Sequence, residues 1–427
     1  MQSVLNVVLE LLRTPAILIG LVAFLGLLFQ KKSLTQVLLG TVKTILGFLI
    51  LNLGVGTVSG NLANFSKMFT AAFGLTGIYF DDIIAVSAMM KTIGQEVGLV
   101  MIFGFLANLL FARLTKLKIV YLTGHKVFHM AGGIAFALLT LGLTGVPFVA
   151  IGALLLGAYM VISPSLLQPF TKKVTGSDEY AVGHTMNSMY LFGSFVGKLF
   201  GTKDAKKIDD VKLPSSLESL RDVSISFSII MLLMFAVPAI FAPAAAKELA
   251  GSGSVFVWIL IQALTAAAGF LITMQGVRMF IGELIPAFKG FAKIIVPNAI
   301  PALDCPVVFP FSPVSVIVGL LTGFIGWLVG MVICIAIPLA VVPLPGMIAI
   351  LFGCTAAAVY GNAMGGTRGA IAAGFLSGLI WPILGALFYP LLPYEAYGIK
   401  GLSLMTPDIM IVVSLIKGVG AIFGLGM

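Results

Sequence analysis

A few polar side chains interrupt otherwise apolar stretches of this chain. Burying such groups without partners costs about 2–7 kcal/mol, so their chemistry is the first thing to read. Gln95 and Glu96 follow Gly94 and run straight into the apolar stretch Val97–Leu110. Glu96 offers a carboxylate, and Gln95 both a donor and an acceptor; read structurally, Glu96 only complements a helix dipole. His125 and His129 stand four residues apart, which puts both imidazoles on one face of a helix. Such a pair can ligate zinc, but no HExxH pattern surrounds it, since Lys126 follows His125. Hydrogen bonding to a polar ligand suits the pair better, against the plain alternative of interfacial histidines near Lys126. His184 and Thr185 follow Gly183, with Asn187 just beyond; the plain alternative is a histidine in a water-exposed turn. Asp304 lies in Pro301-Ala302-Leu303-Asp304-Cys305-Pro306, where prolines break helical hydrogen bonding and free backbone groups to meet a ligand. Tyr360–Gly366 reads as a tight turn and as a loose counterpart of Gly183-His184-Thr185. The chain has no Walker A motif and no order of residues that marks a Ser/His/Asp nucleophile, and it calls for no cofactor and no metal.

The elements that position these residues belong in a bilayer. Of the 427 residues, 59% are hydrophobic and only 10% are charged, and the mean hydropathy is +1.13. Soluble domains carry about 25% charged residues, so water is the wrong solvent for this surface. A span needs about 20 apolar residues. Candidates are 15–30, 37–56, 97–114, 130–146, 147–168, 223–244, 253–275, 315–342, 367–392 and 405–425. Four stretches, 66–95, 176–200, 286–312 and 343–366, are apolar but broken by polar residues, Gly and Pro. They read as re-entrant hairpins or discontinuous helices, because irregular backbone at membrane depth must be buried or line a cavity. Met1–Arg13 reads as an amphipathic helix at the interface, and Thr202–Asp222 as a loop in water. The net charge of +9 sits in short Lys/Arg clusters between apolar runs, the pattern of cytoplasmic loops rather than of a nucleic-acid surface. Cys305, Cys334 and Cys354 show no metal or redox spacing.

The halves resemble each other. Gly47-Phe48-Leu49-Ile50 recurs as Gly269-Phe270-Leu271-Ile272, an offset of 222 residues, and ten identities fall in the 23 ungapped positions 47–69 at that offset. Paired halves with paired broken segments point to a transporter-like fold with its substrate at the repeat interface.

Several segments together resemble one family. They are Gly47-Phe48-Leu49-Ile50-Leu51-Asn52-Leu53-Gly54, Gln95-Glu96-Val97-Gly98-Leu99, Leu122-Thr123-Gly124-His125, Val174-Thr175-Gly176-Ser177-Asp178 with His184-Thr185, and Pro297-Asn298-Ala299-Ile300-Pro301-Ala302-Leu303-Asp304-Cys305-Pro306. The family is the ascorbate-type membrane component of the phosphotransferase system, the IIC permeases, and the resemblance runs over essentially the whole chain. It implies an all-α polytopic membrane protein with about eleven transmembrane helices in two repeated halves and two re-entrant hairpins. It further implies a homodimer in the bacterial inner membrane. A dimerising scaffold would comprise 1–66 and 223–290, a substrate-holding core 67–201 and 291–427, and a polar loop 202–222 would join the halves. The core would carry L-ascorbate across by an elevator-like movement. A separate IIB protein, served by IIA, would phosphorylate the sugar, so the chain would be no enzyme on its own. The implied ligands are Gln95, Glu96, His125, His129, His184, Thr185 and Asp304. A rival of another class is a proton- or sodium-coupled secondary transporter of a small sugar acid or polyol, with Glu96 and Asp304 as coupling carboxylates. A membrane protein of purely structural or assembly role fits four buried polar clusters poorly.

Overall fold

The computed structural model describes residues 15–75, 77–201, 206–210, 222–337, 339, 341–346 and 348–425. The amphipathic helix expected over Met1–Arg13 lies outside these residues. The first half runs α1 (Pro15–Phe29), α2 (Leu34–Phe73), β1 (Gly77–Phe80), α3 (Asp82–Leu114), β2 (Ile119–Tyr121), α4 (Gly124–Thr140), α5 (Gly145–Thr175), β3 (Ala181–Val182) and α6 (Asn187–Phe200). The second runs α7 (Val223–Phe241), α8 (Pro243–Ala250), α9 (Val255–Ile295), β4 (Ile300–Leu303), a 3-10 turn (Cys305–Phe311), α10 (Pro313–Ala336), β5 (Val342–Leu344), a π turn (Ala349–Cys354), α11 (Thr355–Phe388), β6 (Leu402–Ser403) and α12 (Pro407–Ile422).

This is an all-α polytopic membrane protein. Among the described residues five helices are long and apolar enough to cross a bilayer: Leu34–Phe73, Thr92–Leu114, Gly145–Thr175, Pro313–Ala336 and Ala349–Leu391. A sixth is reached if the sharply bent pair Phe227–Phe241 and Pro243–Ala250 counts as one. Length and composition thus account for fewer spans than the eleven expected. One reason is α4, which the sequence reads as the span 130–146. It is a 17-residue helix buried from Gly124 to Leu138, sealed inside protein rather than facing lipid. The helices α2 and α9 pack along each other, with α1 and α7 against them. Both run past the expected domain boundaries at 66 and 290 and end at Phe73 and Ile295.

The duplication is written into the topology. Two three-stranded sheets have the orders β5-β1-β6 and β2-β4-β3, with every pairing parallel. Exchanging β1 with β4, β2 with β5 and β3 with β6 converts one sheet into the other. Partner strands start 223, 223 and 221 residues apart, and α2 and α9 start 221 apart, close to the sequence offset of 222. Each central strand is therefore flanked by two strands of the opposite half, which locks the halves together. Asn108 closes the free edge of β2. Its Oδ1 accepts from Tyr121 N (3.1 Å) and its Nδ2 donates to Ile119 O (3.2 Å), and the residue is fully buried.

Small residues set the helix packing, as is usual where lipid competes as an apolar solvent. Gly193 and Gly197 on α6, and Gly201 just past its end, lie against Ala357, Gly361 and Gly365 on α11, backbone to backbone. The segment Tyr360–Gly366, expected as a tight turn, is helical within α11 and kinks at Gly366 (φ 63°, ψ −153°), a left-handed φ that a β-carbon would strain. The strand topology makes Met405-Thr406, not this segment, the counterpart of His184-Thr185. Part of the loop expected in water is also docked. Ile208 is buried, and Asp209 accepts from Ser312 Oγ (2.6 Å), Asn362 Nδ2 (2.9 Å) and Val314 N (3.2 Å). The loop thereby caps the start of α10, whose own Ser312 makes no side-chain cap.

Candidate functional site

Five of the six short strands deliver a polar residue just beyond their C-terminal ends. Asp81 and Asp82 follow β1, Thr123 follows β2 after Leu122, His184 and Thr185 follow β3 after Gly183, Asp304 follows β4, and Thr406 follows β6. Thr185 and Thr406 hold the same position, three residues after Val182 and Ser403 respectively. Helices α3, α4, α6 and α12 begin at or within a few residues of these strand ends, so the partial positive charge of each helix N-terminus sits beside a strand tip.

Helix α4 joins the two halves of the site. At its first turn His125 Nε2 lies 3.7 Å from Asp304 Oδ2, and His184 Nε2 lies 3.7 Å from Asp304 Oδ1. One turn later His129 Nδ1 lies 3.9 Å from Asp82 Oδ2. The ring centroids of His125 and His129 are 5.7 Å apart, and those of His125 and His184 are 6.4 Å apart. All three imidazoles and Asp82 are buried, whereas the Asp304 side chain is 33% exposed. The 3.7–3.9 Å separations exceed hydrogen-bond length, leaving these groups free to bond to something else.

The two aspartates are themselves anchored. Asp82 Oδ1 accepts from Met405 N (2.7 Å) and Thr406 N (3.3 Å), tying β1 to the β6 tip. Asp304 Oδ1 accepts from Cys305 N (2.8 Å). Lys126, buried on α4, puts a positive charge within Coulombic reach of both aspartates and all three histidines. Thr123 and Thr406 stand at helix N-cap positions without capping their own helices. The hydroxyls of Thr123 and Thr185 and the Nδ1 atoms of His125 and His129 are buried with no hydrogen-bond partner. Buried polar atoms are otherwise almost always paired, which makes this collection the candidate site.

His125, His184 and Asp304 also bring three donor atoms within 4.8 Å of one another, which raises the question of a metal. Met186 N donates to His184 Nδ1 at 3.2 Å. Nδ1 therefore carries the lone pair and Nε2 the proton. A protonated Nε2 cannot coordinate an ion, so His184 serves as a hydrogen-bond donor. The donor set suits a polar organic ligand better than a cation.

The structure thus brings His125, His129, His184 and Asp304 together, with Thr185 at the adjoining strand tip. Gln95 and Glu96 stand just past the bend at Ile93 in α3. Gln95 is exposed and Glu96 half-buried, and neither bonds to the cluster. The second carboxylate of the cluster is Asp82, fourteen residues before Glu96. Asp82, Lys126 and Thr406 escaped the sequence reading. A signal for Asp82 was present: it precedes Asp304 by 222 residues, the offset of the repeat itself.

The family model for the PTS system sugar-specific permease component matches residues 10–408. The ascorbate-specific PTS system EIIC component of Mycoplasma pneumoniae is 28% identical over 416 residues, covering 84% of this chain and 62% of that protein. The chain therefore spans less than two thirds of the length of that relative.

Proposed function

The chain belongs to the family of PTS sugar-specific permease components, and on that premise we propose that it translocates L-ascorbate, or a closely related sugar acid, through the site between the two sheets. The observation that carries this reading is the set of buried, unpaired polar atoms around Asp82, His125, His129, His184 and Asp304. Ascorbate is a small polyhydroxylated anion at neutral pH. The Lys126 charge, the converging helix N-termini and the His184 Nε2–H suit its enediolate oxygens. The carboxylates of Asp82 and Asp304 accept from its hydroxyl groups, and the Thr123 and Thr185 hydroxyls serve either way. The similarity to an ascorbate-specific component supports the substrate class.

In this reading α1, α2 and α7–α9 form a dimerising scaffold. The sheet-bearing remainder is the core that moves against it in the bacterial inner membrane, and the strand-to-helix units after β1 and β4 are the two re-entrant hairpins. A separate IIB protein, charged by IIA, phosphorylates the delivered sugar. The test is uptake of labelled ascorbate into vesicles containing the full chain, with and without phosphoenolpyruvate and the soluble phosphotransfer proteins. Accumulation should require the phosphoryl donor. Accumulation driven by a proton or sodium gradient alone would favour a secondary transporter with Asp82 and Asp304 as coupling carboxylates.

A further inference from the structure

Behind the His184-Thr185 tip sits a second buried carboxylate assembly. Asp408, on the first turn of α12, is 4% exposed. Its Oδ1 accepts from Ser188 N (2.8 Å) and Ser188 Oγ (2.5 Å) on α6. Its Oδ2 accepts from Tyr159 Oη (2.8 Å) and Ser163 Oγ (2.9 Å) on α5. All four donors are neutral and come from the first half of the chain, and among the described residues no cation pairs with this carboxylate. Outward, Asp408 lines an apolar cleft of about 620 Å³ walled by residues such as Leu155, Ile162 and Leu415. An ionisable group in such surroundings is costly to keep and calls for a role.

The bonds converge on one segment. Asp408 N donates to Thr185 O at 3.2 Å. Tyr159 Oη, held by the carboxylate, also lies 3.1 Å from His184 O. Asn187 Nδ2 reaches Ser163 Oγ (3.1 Å) and Val182 O (2.9 Å). Residues 182–188 are thus held on both sides of the tip. Within that segment Met186 N fixes the His184 tautomer. Two residues before Asp408 lies Thr406, bonded to Asp82. One carboxylate therefore ties together the strand tips of both sheets.

We infer that Asp408 is a positioning residue: from α12 it clamps α5 and α6 so that His184 and Thr185 keep the pose in which they meet substrate. The inference rests on the substrate site proposed above. A cap that only stabilised the crossing of α6 and α12 would lower stability without coupling to His184, and the test separates the two.

Full-length protein in detergent is titrated calorimetrically with L-ascorbate as the D408A, D408N, Y159F, H184A and D408A/H184A variants. D408A should bind about tenfold more weakly or worse, since pre-organisation is lost. D408N, which keeps the shape and one acceptor oxygen, should recover part of that loss. In the H184A background D408A should add little further loss, because coupled sites are not additive. Wild-type affinity in both D408A and D408N, or an undiminished penalty in the H184A background, would overturn the clamp. If D408A does not fold, Y159F and D408N carry the same comparison. Isotope-labelled histidine NMR without ligand gives a separate readout. D408A should release His184 from its single tautomer into averaging, and an unchanged His184 signal overturns the inference. Absence of ascorbate binding by the wild type would instead refute the substrate reading, with the NMR arm still deciding the clamp.

Discussion

Asp304→Asn is the sharpest single perturbation of the site. The carboxylate lies at the end of β4 with Oδ1 accepting from Cys305 N at 2.8 Å, and both its oxygens face imidazole nitrogens at 3.7 Å. The amide keeps the shape and retains an oxygen for Cys305 N, so the local backbone should be unchanged. It presents –NH2 where Oδ2 stood, opposite His125, and so replaces an acceptor for substrate hydroxyls with a donor. A hydrogen bond to a charged group contributes about 1.5–3 kcal/mol net. Because the side chain is 33% exposed, solvent screening places the loss at the lower end, about 1.5–2 kcal/mol. At about 1.4 kcal/mol per decade, ascorbate affinity should fall roughly 10- to 30-fold. Calorimetry on purified protein measures the affinity, and a thermal unfolding scan establishes that the fold is intact. Binding within twofold of wild type by a folded Asn variant would show that Asp304 accepts nothing from substrate.

Two further changes test the scaffold of the site. A methyl group at Gly365 would overlap the Gly197 carbonyl, and backbone cannot step aside as a side chain can. Gly365→Ala should destabilise by about 1–3 kcal/mol or more, read as a lower unfolding midpoint, whereas Gly418→Ala, which meets nothing within 4 Å, serves as the neutral control. Asn108→Leu removes both partners at the β2 edge and leaves Ile119 O and Tyr121 N buried and unpaired. A loss of about 2–4 kcal/mol should follow, with weaker ascorbate binding because β2 leads directly to His125; equal midpoints for variant and wild type would refute that account.

Composition settled the solvent. With so few charges the chain has to face lipid, and the spans at 97–114, 147–168 and 315–342 are legible because a bilayer imposes a minimum apolar length on any helix that crosses it. The duplication was legible too, since both copies of the long helix kept enough identities to align without a gap. His125, His129, His184 and Asp304 stood out for one reason: each is a polar group whose burial is expensive, and expense is visible in one dimension.

What the sequence left open depends on pairing between distant residues. Strands of two to four residues carry almost no periodic signal, yet they decide which tips meet, and each central strand takes its neighbours from the other half of the chain. Glu96 and Asp82 look alike as carboxylates running into apolar stretches. Only the β1–β6 pairing brings Asp82 to Met405 and Thr406, and only the fold carries α4 from one aspartate to the other. Asp408 reads as an ordinary acidic residue in the first turn of a helix, and its four donors come from residues at least 220 positions away. Cost is a property of a residue and its local stretch, so the sequence determined which groups required partners. Partnership is a property of contacts across the chain, so the tertiary structure alone decided which partners they found.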